Sequence, residues 1–579
     1  MDWKTTYEKW YNHPKLDADM KVELEKIGTN ESELEDSFYQ NLAFGTGGLR
    51  GVMGPGTNRM NTYTVRKAVA GLAAYIENHV EHYQSRGVAV GYDSRYNSRE
   101  FAIEAARVLG AKGIQTYVFE SLRPTPYLSF AVRYLHAAAG IMITASHNPP
   151  EYNGFKVYND LGGQTPPEQA DKIYHQIEAI EDEIEIDTIT REQAEADGKL
   201  VWIGDTVDKA YLQKLATITK NEEAIKQHAK DVKVVFTPLH GTAHLPVKEG
   251  LEQLGFNQVY VVKEQAEPDP EFSTVASPNP EEHQAFEHAI QLGEEVDADM
   301  LIGTDPDADR LGVAVRNGQG EFEVLTGNQL GALMLDYILS QADELPEDGR
   351  MIKTIVTSEL GRAIADYYHI PTIETLTGFK FIGEKIQEFY DQGEGTFLFG
   401  YEESYGYLVG DFVRDKDAVQ AAMLSAEMAA YWKGEGKSLH EALHSLFDRF
   451  GYYLEGLEST TLKGKDGSEK IQSLMNHFRS TQYEQIGEFE VATVEDYEAQ
   501  TKRNQASGSV KEINLPKADV IKFHLADGSW CCLRPSGTEP KIKCYFGVNT
   551  PSVEESEKKL KSLKEAFMNE MNKVLYQEK

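Results

Sequence analysis

Cysteine is scarce, with three in 579 residues, and two of them, Cys531 and Cys532, are neighbours on a stretch that reads as a strand. Adjacent side chains on a strand face opposite ways, so the pattern argues against a disulfide framework and against a thiolate metal site. Long hydrophobic runs are missing too; no apolar stretch approaches the ~18 residues of a membrane span. Basic residues are outnumbered, 58 against 93 acidic, for a formal charge of −35. That field repels nucleic acid and anionic membranes, and an anionic substrate needs a local cationic pocket to overcome it. The opening MDWKTTYEKWYNHPKLDADM lacks the basic-then-apolar order of a signal peptide. The expectation is a cytoplasmic protein with no nucleic-acid or membrane partner.

What is present is the composition of a soluble enzyme, 41% apolar and 26% charged, in a chain too long for one core; length alone suggests about four domains. The runs GVAVG, AAGIMITA, KVVFT, ADMLIGT and TFLFG are short, rich in β-branched or aromatic residues, and each leads into a polar or glycine-bearing loop. They predict buried, parallel-type strands alternating with amphipathic helices such as TVRKAVAGLAAYIENHV and REFAIEAARVLGAKG. Ligands of open α/β sheets sit at the carboxyl ends of strands. Here those ends carry SHN, PLHGT, DPDADR and YEES, so several α/β units aim loops at one site. Breaks in pattern near 205, near 322 and between 450 and 485 predict domains over 1–205, 206–322, 323–455 and 456–579, the first with a helical acidic extension.

Four loops carry chemistry. In GTDPDADRLG, Asp305, Asp307 and Asp309 alternate with other residues between strand-like flanks, and three oxygens so spaced suit a hard dication such as Mg²⁺. An EF-hand is excluded, since it needs Gly where Arg310 stands, Glu where Arg316 stands, and helical flanks. A solvated acidic turn is the bland alternative. In LRPSGTEPKIK, Arg534, Ser536, Gly537 and Thr538 have the equipment for a phosphate, or form a hairpin turn. GYEESYGY can bind sugar hydroxyls or be an acidic surface loop, and ETLTGFKFIG is another ligand loop or a helix entry. In TASHNPPEYNGFKVY, Ser146 follows a strand and prolines 149 and 150 hold the chain turned. Alone, Ser146 is a turn hydroxyl; beside a metal loop and a phosphate cradle it is a phosphoryl carrier. No G-x-S-x-G surrounds it, so the hydrolase elbow is absent. The 16 histidines form no cluster of the kind a two-metal phosphatase needs.

T-A-S-H-N-P, G-T-D-P-D-A-D-R, G-Y-E-E-S and R-P-S-G-T-E-P, in that order, resemble the phosphoserine, metal, sugar and phosphate loops of the α-D-phosphohexomutase family. The acidic start before FGTGGLRG and the TPLHG segment are similar to the phosphoglucomutase-2-like branch, which includes bacterial α-phosphoglucomutases and phosphopentomutases. The resemblance implies an α/β fold of four domains around a central cleft: three related α/β domains with mixed sheets and a smaller α+β carboxyl-terminal one. It implies that Ser146 carries the phosphoryl group and that Asp305, Asp307 and Asp309 hold Mg²⁺, with Ser146 completing the shell. It places Arg50, His147 and Lys156 beside the reacting serine, Lys156 as proton shuttle if its pKa is lowered. Arg310, Thr377, Gly378, Glu402, Ser404 and Lys416 are implied as substrate-binding residues, and Arg534, Ser536, Gly537 and Thr538 as the anchor of the non-reacting phosphate. The implied reaction moves phosphate between O1 and O6 of a sugar through glucose 1,6-bisphosphate, which is both intermediate and activator. The sugar is glucose, with pentose or mannose phosphates as alternatives. The partners are small sugar phosphates, and the assembly is a monomer or small homo-oligomer. One departure stands out: where some relatives have G-E-M-S-G-H, this chain has Gly406 and Tyr407. The partner of Lys156 is therefore open, with His240 as a substitute or as a loop support.

Overall fold

Three of the five apolar runs become strands in which every residue is buried, Val88–Tyr92, Ala139–Ile143 and Met300–Thr304; Lys233–Thr237 is buried from its second residue on, and Thr396–Glu402, expected to be buried throughout, is buried only from Phe399 on. A strand covered on both faces needs no polar alternation, which is why these runs are continuous. The computed structural model describes residues 2–45, 47–462, 465–536 and 541–575. The chain divides into two compact units. One comprises Met1–Leu330, Ser340–Gly349 and Phe379–His440, the other Gly331–Leu339, Arg350–Gly378 and Glu441–Lys579.

In the first unit a seven-stranded mixed sheet runs in the order Phe44–Gly45, Gly48–Val52, Tyr152–Tyr158, Ala139–Ile143, Val88–Tyr92, Thr116–Phe119, Leu200–Ile203. A five-stranded mixed sheet follows, in the order Phe322–Val324, Leu311–Arg316, Met300–Thr304, Lys233–Thr237, Gln258–Val261. Both sheets make the same move. A strand with a parallel neighbour, Ala139–Ile143 or Met300–Thr304, ends in a loop and returns antiparallel as Tyr152–Tyr158 or Leu311–Arg316. Strand Thr396–Glu402 likewise returns antiparallel as Gly406–Leu408. The three return loops hold Ser146, the aspartates and Glu402–Ser404, so one topological position carries three different chemistries.

Three amino-terminal helices bury Trp10, Leu24, Leu34 and Phe38 against Tyr63 and Ile184. Each such side chain contributes about 1.5–3 kcal/mol, and the long helix Thr62–His79 begins beneath them with a capping box on Asn61. Such a cap adds about 1 kcal/mol and fixes where the chain turns after the glycine-rich segment.

In the second unit, strands Gly349–Thr354 and Thr372–Thr375 pair in parallel. The carboxyl-terminal region is an antiparallel sheet, in the order Tyr452–Thr461, Lys541–Thr550, Trp530–Pro535, Ile521–Leu525, Phe489–Asp496, Thr501–Asn504, Val510–Glu512. Helices Lys465–Ser480 and Val553–Leu575 pack on it through Leu474, Phe478, Leu563 and Phe567. The fold is therefore three α/β regions with mixed strand directions and an α+β carboxyl-terminal region. Cys531, Cys532 and Cys544 are buried. Among the described residues no helix is long and apolar enough to cross a membrane.

Candidate active site

Two return loops of the first unit meet. Ser146 Oγ donates to Asp305 Oδ2 at 2.6 Å and lies 3.2 Å from His147 Nδ1. One oxygen from each of Asp305, Asp307 and Asp309 lies within 4.8 Å of the others, and all three residues are buried. The backbone N–H groups of Asp309 and Arg310 donate to Asp305 Oδ1 at 3.1 and 2.9 Å, which fixes that carboxylate. Its second oxygen therefore points at the serine. Gly241 of the TPLHG segment sits where any Cβ would strike Pro306, and Thr242 N donates to Pro306 O at 2.9 Å. The close approach needs glycine, and it braces the aspartate loop from behind.

Cations surround the cluster without saturating it. Lys156 Nζ is 2.8 Å from Asp307 Oδ2 and 3.4 Å from Asp309 Oδ2. Lys416 Nζ is 2.9 Å from Asp309 Oδ2 and 3.4 Å from Asp415 Oδ1. Arg310 pairs with Glu281, with its Nε 4.0 Å from Asp309 Oδ1. Asp307 Oδ1 and Asp309 Oδ1 remain buried with no hydrogen-bond partner. Orphaned buried carboxylate oxygens cost free energy unless something takes them up. Hard anionic oxygens converging in this way fit a Mg²⁺-like ion and no soft metal.

The titrations follow from this crowding. Burial, then Asp307 and Asp309, drive the Asp305 carboxyl well above the usual range. Burial opposes ionisation of Asp307, but Lys156, a hydrogen bond from Asp305 and Lys416 together outweigh it and hold Asp307 below its ordinary value. Burial favours a neutral Lys156, yet Asp307 and Asp309 win and its pKa is raised. The implied proton shuttle called for a lowered value, so with these carboxylates unshared Lys156 is a held cation. Burial, reinforced by Arg310, keeps the His147 imidazole neutral. Burial pushes Glu402 up to about 7 against the pull of Lys416.

Of the residues expected at a site, the structure brings together Ser146, His147, Lys156, Asp305, Asp307, Asp309, Arg310 and Lys416. Glu402 is close enough to feel Lys416, Arg310 and Asp309. Arg50 Nη1 donates to Asn148 Oδ1 at 3.1 Å, beside the serine loop. Ser404 is half-buried on its return loop. His240 is buried with both ring nitrogens engaged, Nδ1 with Glu267 O at 3.1 Å and Nε2 with Thr274 Oγ1 at 2.8 Å. It supports its loop and has no nitrogen left for proton transfer. Thr377, Gly378, Arg534 and Ser536 belong to the second unit. There Gly378 has a φ of +119°, Thr377 Oγ1 is buried without a partner, and Arg534 Nη1 donates to Tyr545 Oη at 3.1 Å. The strands flanking Ser536 form an antiparallel hairpin; Gly537 and Thr538 lie outside the described residues.

Sequence reasoning missed several supports. Thr125, at the start of helix Thr125–Tyr134, donates to Asp307 through Oγ1 at 2.9 Å and through N at 2.8 Å. Asp415 is held by Tyr158 Oη at 2.6 Å and carries Lys416. Arg95, with its side chain wholly buried, donates to the carbonyls of Ser146 at 2.5 Å, Pro149 at 2.8 Å, Tyr152 at 3.0 Å and Asn148. Ser146 needs that help, because its φ of +50° is a left-handed conformation costing about 1–3 kcal/mol. Hydrogen bonds to a buried cation contribute about 1.5–3 kcal/mol each, so the strained turn is held.

Fold and site together define a multidomain α/β protein in which a serine faces a carboxylate cradle for a hard cation. Family models match four successive stretches: phosphoglucomutase/phosphomannomutase α/β/α domain I at 41–184, domain II at 209–318, domain III at 326–450 and the C-terminal domain at 488–570. The phosphoglucomutase of Staphylococcus epidermidis strain ATCC 12228 is 40% identical over 536 residues, covering 92% of this chain and 95% of its own. That of Staphylococcus aureus strain MRSA252 is 40% identical, covering 92% and 94%. Among solved structures, parafusin, a phosphoglucomutase from Paramecium, aligns with a TM-score of 0.68 at 20% identity over 93% of this chain and 96% of that one. A putative phosphomannomutase from Thermus thermophilus aligns at 0.65 and 22%, over 90% and 99%. The chain belongs to the phosphoglucomutase/phosphomannomutase family of α-D-phosphohexomutases, isomerases that move a phosphoryl group within a sugar phosphate.

Proposed function

We propose that this protein is a magnesium-dependent phosphoglucomutase that interconverts α-D-glucose 1-phosphate and glucose 6-phosphate through a phosphoserine at Ser146. The observation that carries this reading is the 2.6 Å approach of Ser146 Oγ to Asp305, in a loop whose other two aspartates keep unpartnered oxygens. In the forward step the Ser146 Oγ–P bond breaks, a bond from P to the sugar O6 forms, and the O6 proton leaves to a base. The resulting glucose 1,6-bisphosphate turns end for end. The O1–P bond then breaks, the phosphoryl returns to Oγ, and O1 takes up a proton.

Such transfer depends on positioning and on neutralising charge. Asp305, Asp307 and Asp309 would hold Mg²⁺, which when bound offsets the charge of the transferring group. Arg50 and His147 flank the serine, and Lys156 is the proton-transfer candidate: its ammonium can supply the proton that O1 takes up, and it would serve as base for the O6 proton where a bound cation shares Asp307 and Asp309 and no longer leaves them to hold its charge. Glu402 and Ser404 take sugar hydroxyls, aided by Lys416, Thr377 and Gly378. Arg534 and Ser536, with Gly537 and Thr538, take the phosphate that does not react. The same reading assigns these roles to regions 1–205, 206–322, 323–455 and 456–579 of a cytoplasmic enzyme.

The test is Ser146→Ala assayed on glucose 1-phosphate primed with glucose 1,6-bisphosphate. Turnover should vanish while thermal unfolding is unchanged, and near-normal activity would remove the phosphoserine from the mechanism. Parallel rates on mannose 1-phosphate and ribose 1-phosphate decide the sugar. A faster rate on either overturns the glucose assignment and leaves the chemistry standing.

A further inference from the structure

The geometry points to Arg95 as the positioning residue that sets the reacting serine: its guanidinium moulds the backbone of residues 146–152 so that Ser146 Oγ faces Asp305. The inference rests on the reading that Ser146 carries the phosphoryl group. Arg95 lies in a different loop, after strand Val88–Tyr92, and reaches carbonyls 51 to 57 residues away. Its four terminal N–H groups go to four carbonyls, those of Ser146, Asn148, Pro149 and Tyr152.

The guanidinium is itself held between an anion and a ring, its Nε buried in an ion pair without a hydrogen bond. Asp93 Oδ1 accepts from Arg95 N at 3.0 Å and from Ser98 Oγ at 2.8 Å, and Asp93 Oδ2 lies 3.5 Å from Arg95 Nε. The ring of Phe272, from the region that carries the aspartate loop, stacks 4.9 Å from Arg95 Cζ. Buried Asn153 reaches back, donating to Tyr96 O at 2.9 Å and Ser98 Oγ at 3.0 Å. The two loops are thereby locked in both directions.

Only a planar fork fits. Four carbonyls spread over seven residues cannot be reached by the single nitrogen of lysine, so charge alone does not replace Arg95. Proline 149 and 150 restrict their own φ angles, but nothing in that restriction favours a positive φ at Ser146. The four acceptors aimed at one cation do. A misplacement of about 1 Å at a reacting atom costs on the order of 100-fold in rate, whereas sugar recognition is assigned to other loops.

The experiment compares wild type, Arg95→Lys, Arg95→Ala and Ser146→Ala, with phosphoryl uptake from glucose 1,6-bisphosphate read by intact mass. Arg95→Lys should lower kcat per phosphorylatable molecule about 100-fold while KM for glucose 1-phosphate stays within about threefold. Guanidinium ion at millimolar concentration should raise kcat of Arg95→Ala and leave wild type and Ser146→Ala unmoved. A merely structural role would reduce the fraction of molecules that take up phosphate and leave the rate per competent molecule unchanged. That result, or Arg95→Lys within about threefold of wild-type kcat, overturns the inference; if Arg95→Ala does not fold, Arg95→Lys alone decides. Turnover by Ser146→Ala would instead sink the phosphoserine reading on which the inference stands.

Discussion

In the first unit, Asp305, Asp307 and Asp309 stand with Lys156, Lys416 and Arg310; in the second, Glu359 and Glu374 stand with Lys353, Lys522 and Arg362. The second cluster is closed. Lys353, fully buried, meets Glu359 and Glu374 at 3.0 Å each and the carbonyls of Thr357 at 3.0 Å and Thr354 at 3.3 Å. Arg362 takes the other oxygen of Glu359 at 2.8 Å and shares with Lys353 the same oxygen of Glu374 at 2.9 Å, and Lys522 donates to Ile355 O at 2.6 Å. In the first cluster two carboxylate oxygens are left over and a serine hydroxyl is drawn in. Buried charge alone is therefore a poor marker of function. Buried charge with acceptors still open is a better one, because a protein that needed only stability would have closed it.

The comparison breaks most sharply under Asp305→Asn. Metal-assisted stabilisation of a transferring phosphoryl is worth several kcal/mol, so kcat at saturating Mg²⁺ should fall on the order of 10³-fold. Stability of the chelator-treated protein should hold or rise, since one of three carboxylates within 4.8 Å no longer repels its neighbours. Thermal unfolding with EDTA beside steady-state rates measures both. Activity within about tenfold of wild type would mean that the open acceptors are idle. Lys353→Met is the mirror case. Removing one partner of a closed buried network costs about 3–5 kcal/mol, with chemistry per folded molecule retained. All three cysteines lie buried in that unit, so thiol labelling reports its opening. Labelling should accelerate at least about 100-fold, 1.4 kcal/mol being tenfold; an unchanged rate would show that the network holds nothing.

How much of this was legible in the sequence depends on how local each feature is. AGIMI and MLIGT announce two-sided burial by composition, and TASHNP and GTDPDADR carry their chemistry on contiguous residues, so strands and reacting loops could be read. Arg95 could not. A lone arginine in GYDSRYNS is by default a solvated surface residue, and its partners lie more than 50 residues on. The only signal was that Asp93 and Ser98, with Arg95 between them, close a strand end that reads as buried. His240 stood in the sequence as a substitute acid or base or as a loop support, because spacing says nothing about whether ring nitrogens are already engaged; the engaged nitrogens decide for loop support. The division of residues 331–378 between the two compact units was invisible for a similar reason: it is set by long-range packing, whereas composition shifts mark only linkers.

The smallest expected effect concerns Glu402, a buried acid beside the open cluster whose pKa of about 7 is above the usual carboxyl value near 4.3. The sign follows from the raised value: between pH 4.3 and 7 the folded protein holds a proton that the unfolded chain has released, so Glu402 withdraws stability as pH rises through that window. Function runs the other way. A carboxylate accepts from two sugar hydroxyls, whereas the protonated acid must spend one oxygen as a donor. KM for glucose 1-phosphate should therefore rise up to about tenfold between pH 8 and pH 6, the drop in ionised fraction for a group titrating near 7. Substrate phosphate also titrates near 6, so the control is Glu402→Gln, whose KM should be weak and should vary with pH only as the substrate does. If the two profiles superimpose, Glu402 is not the group that senses pH, and its high pKa reflects burial next to Asp309 without a part in binding the sugar.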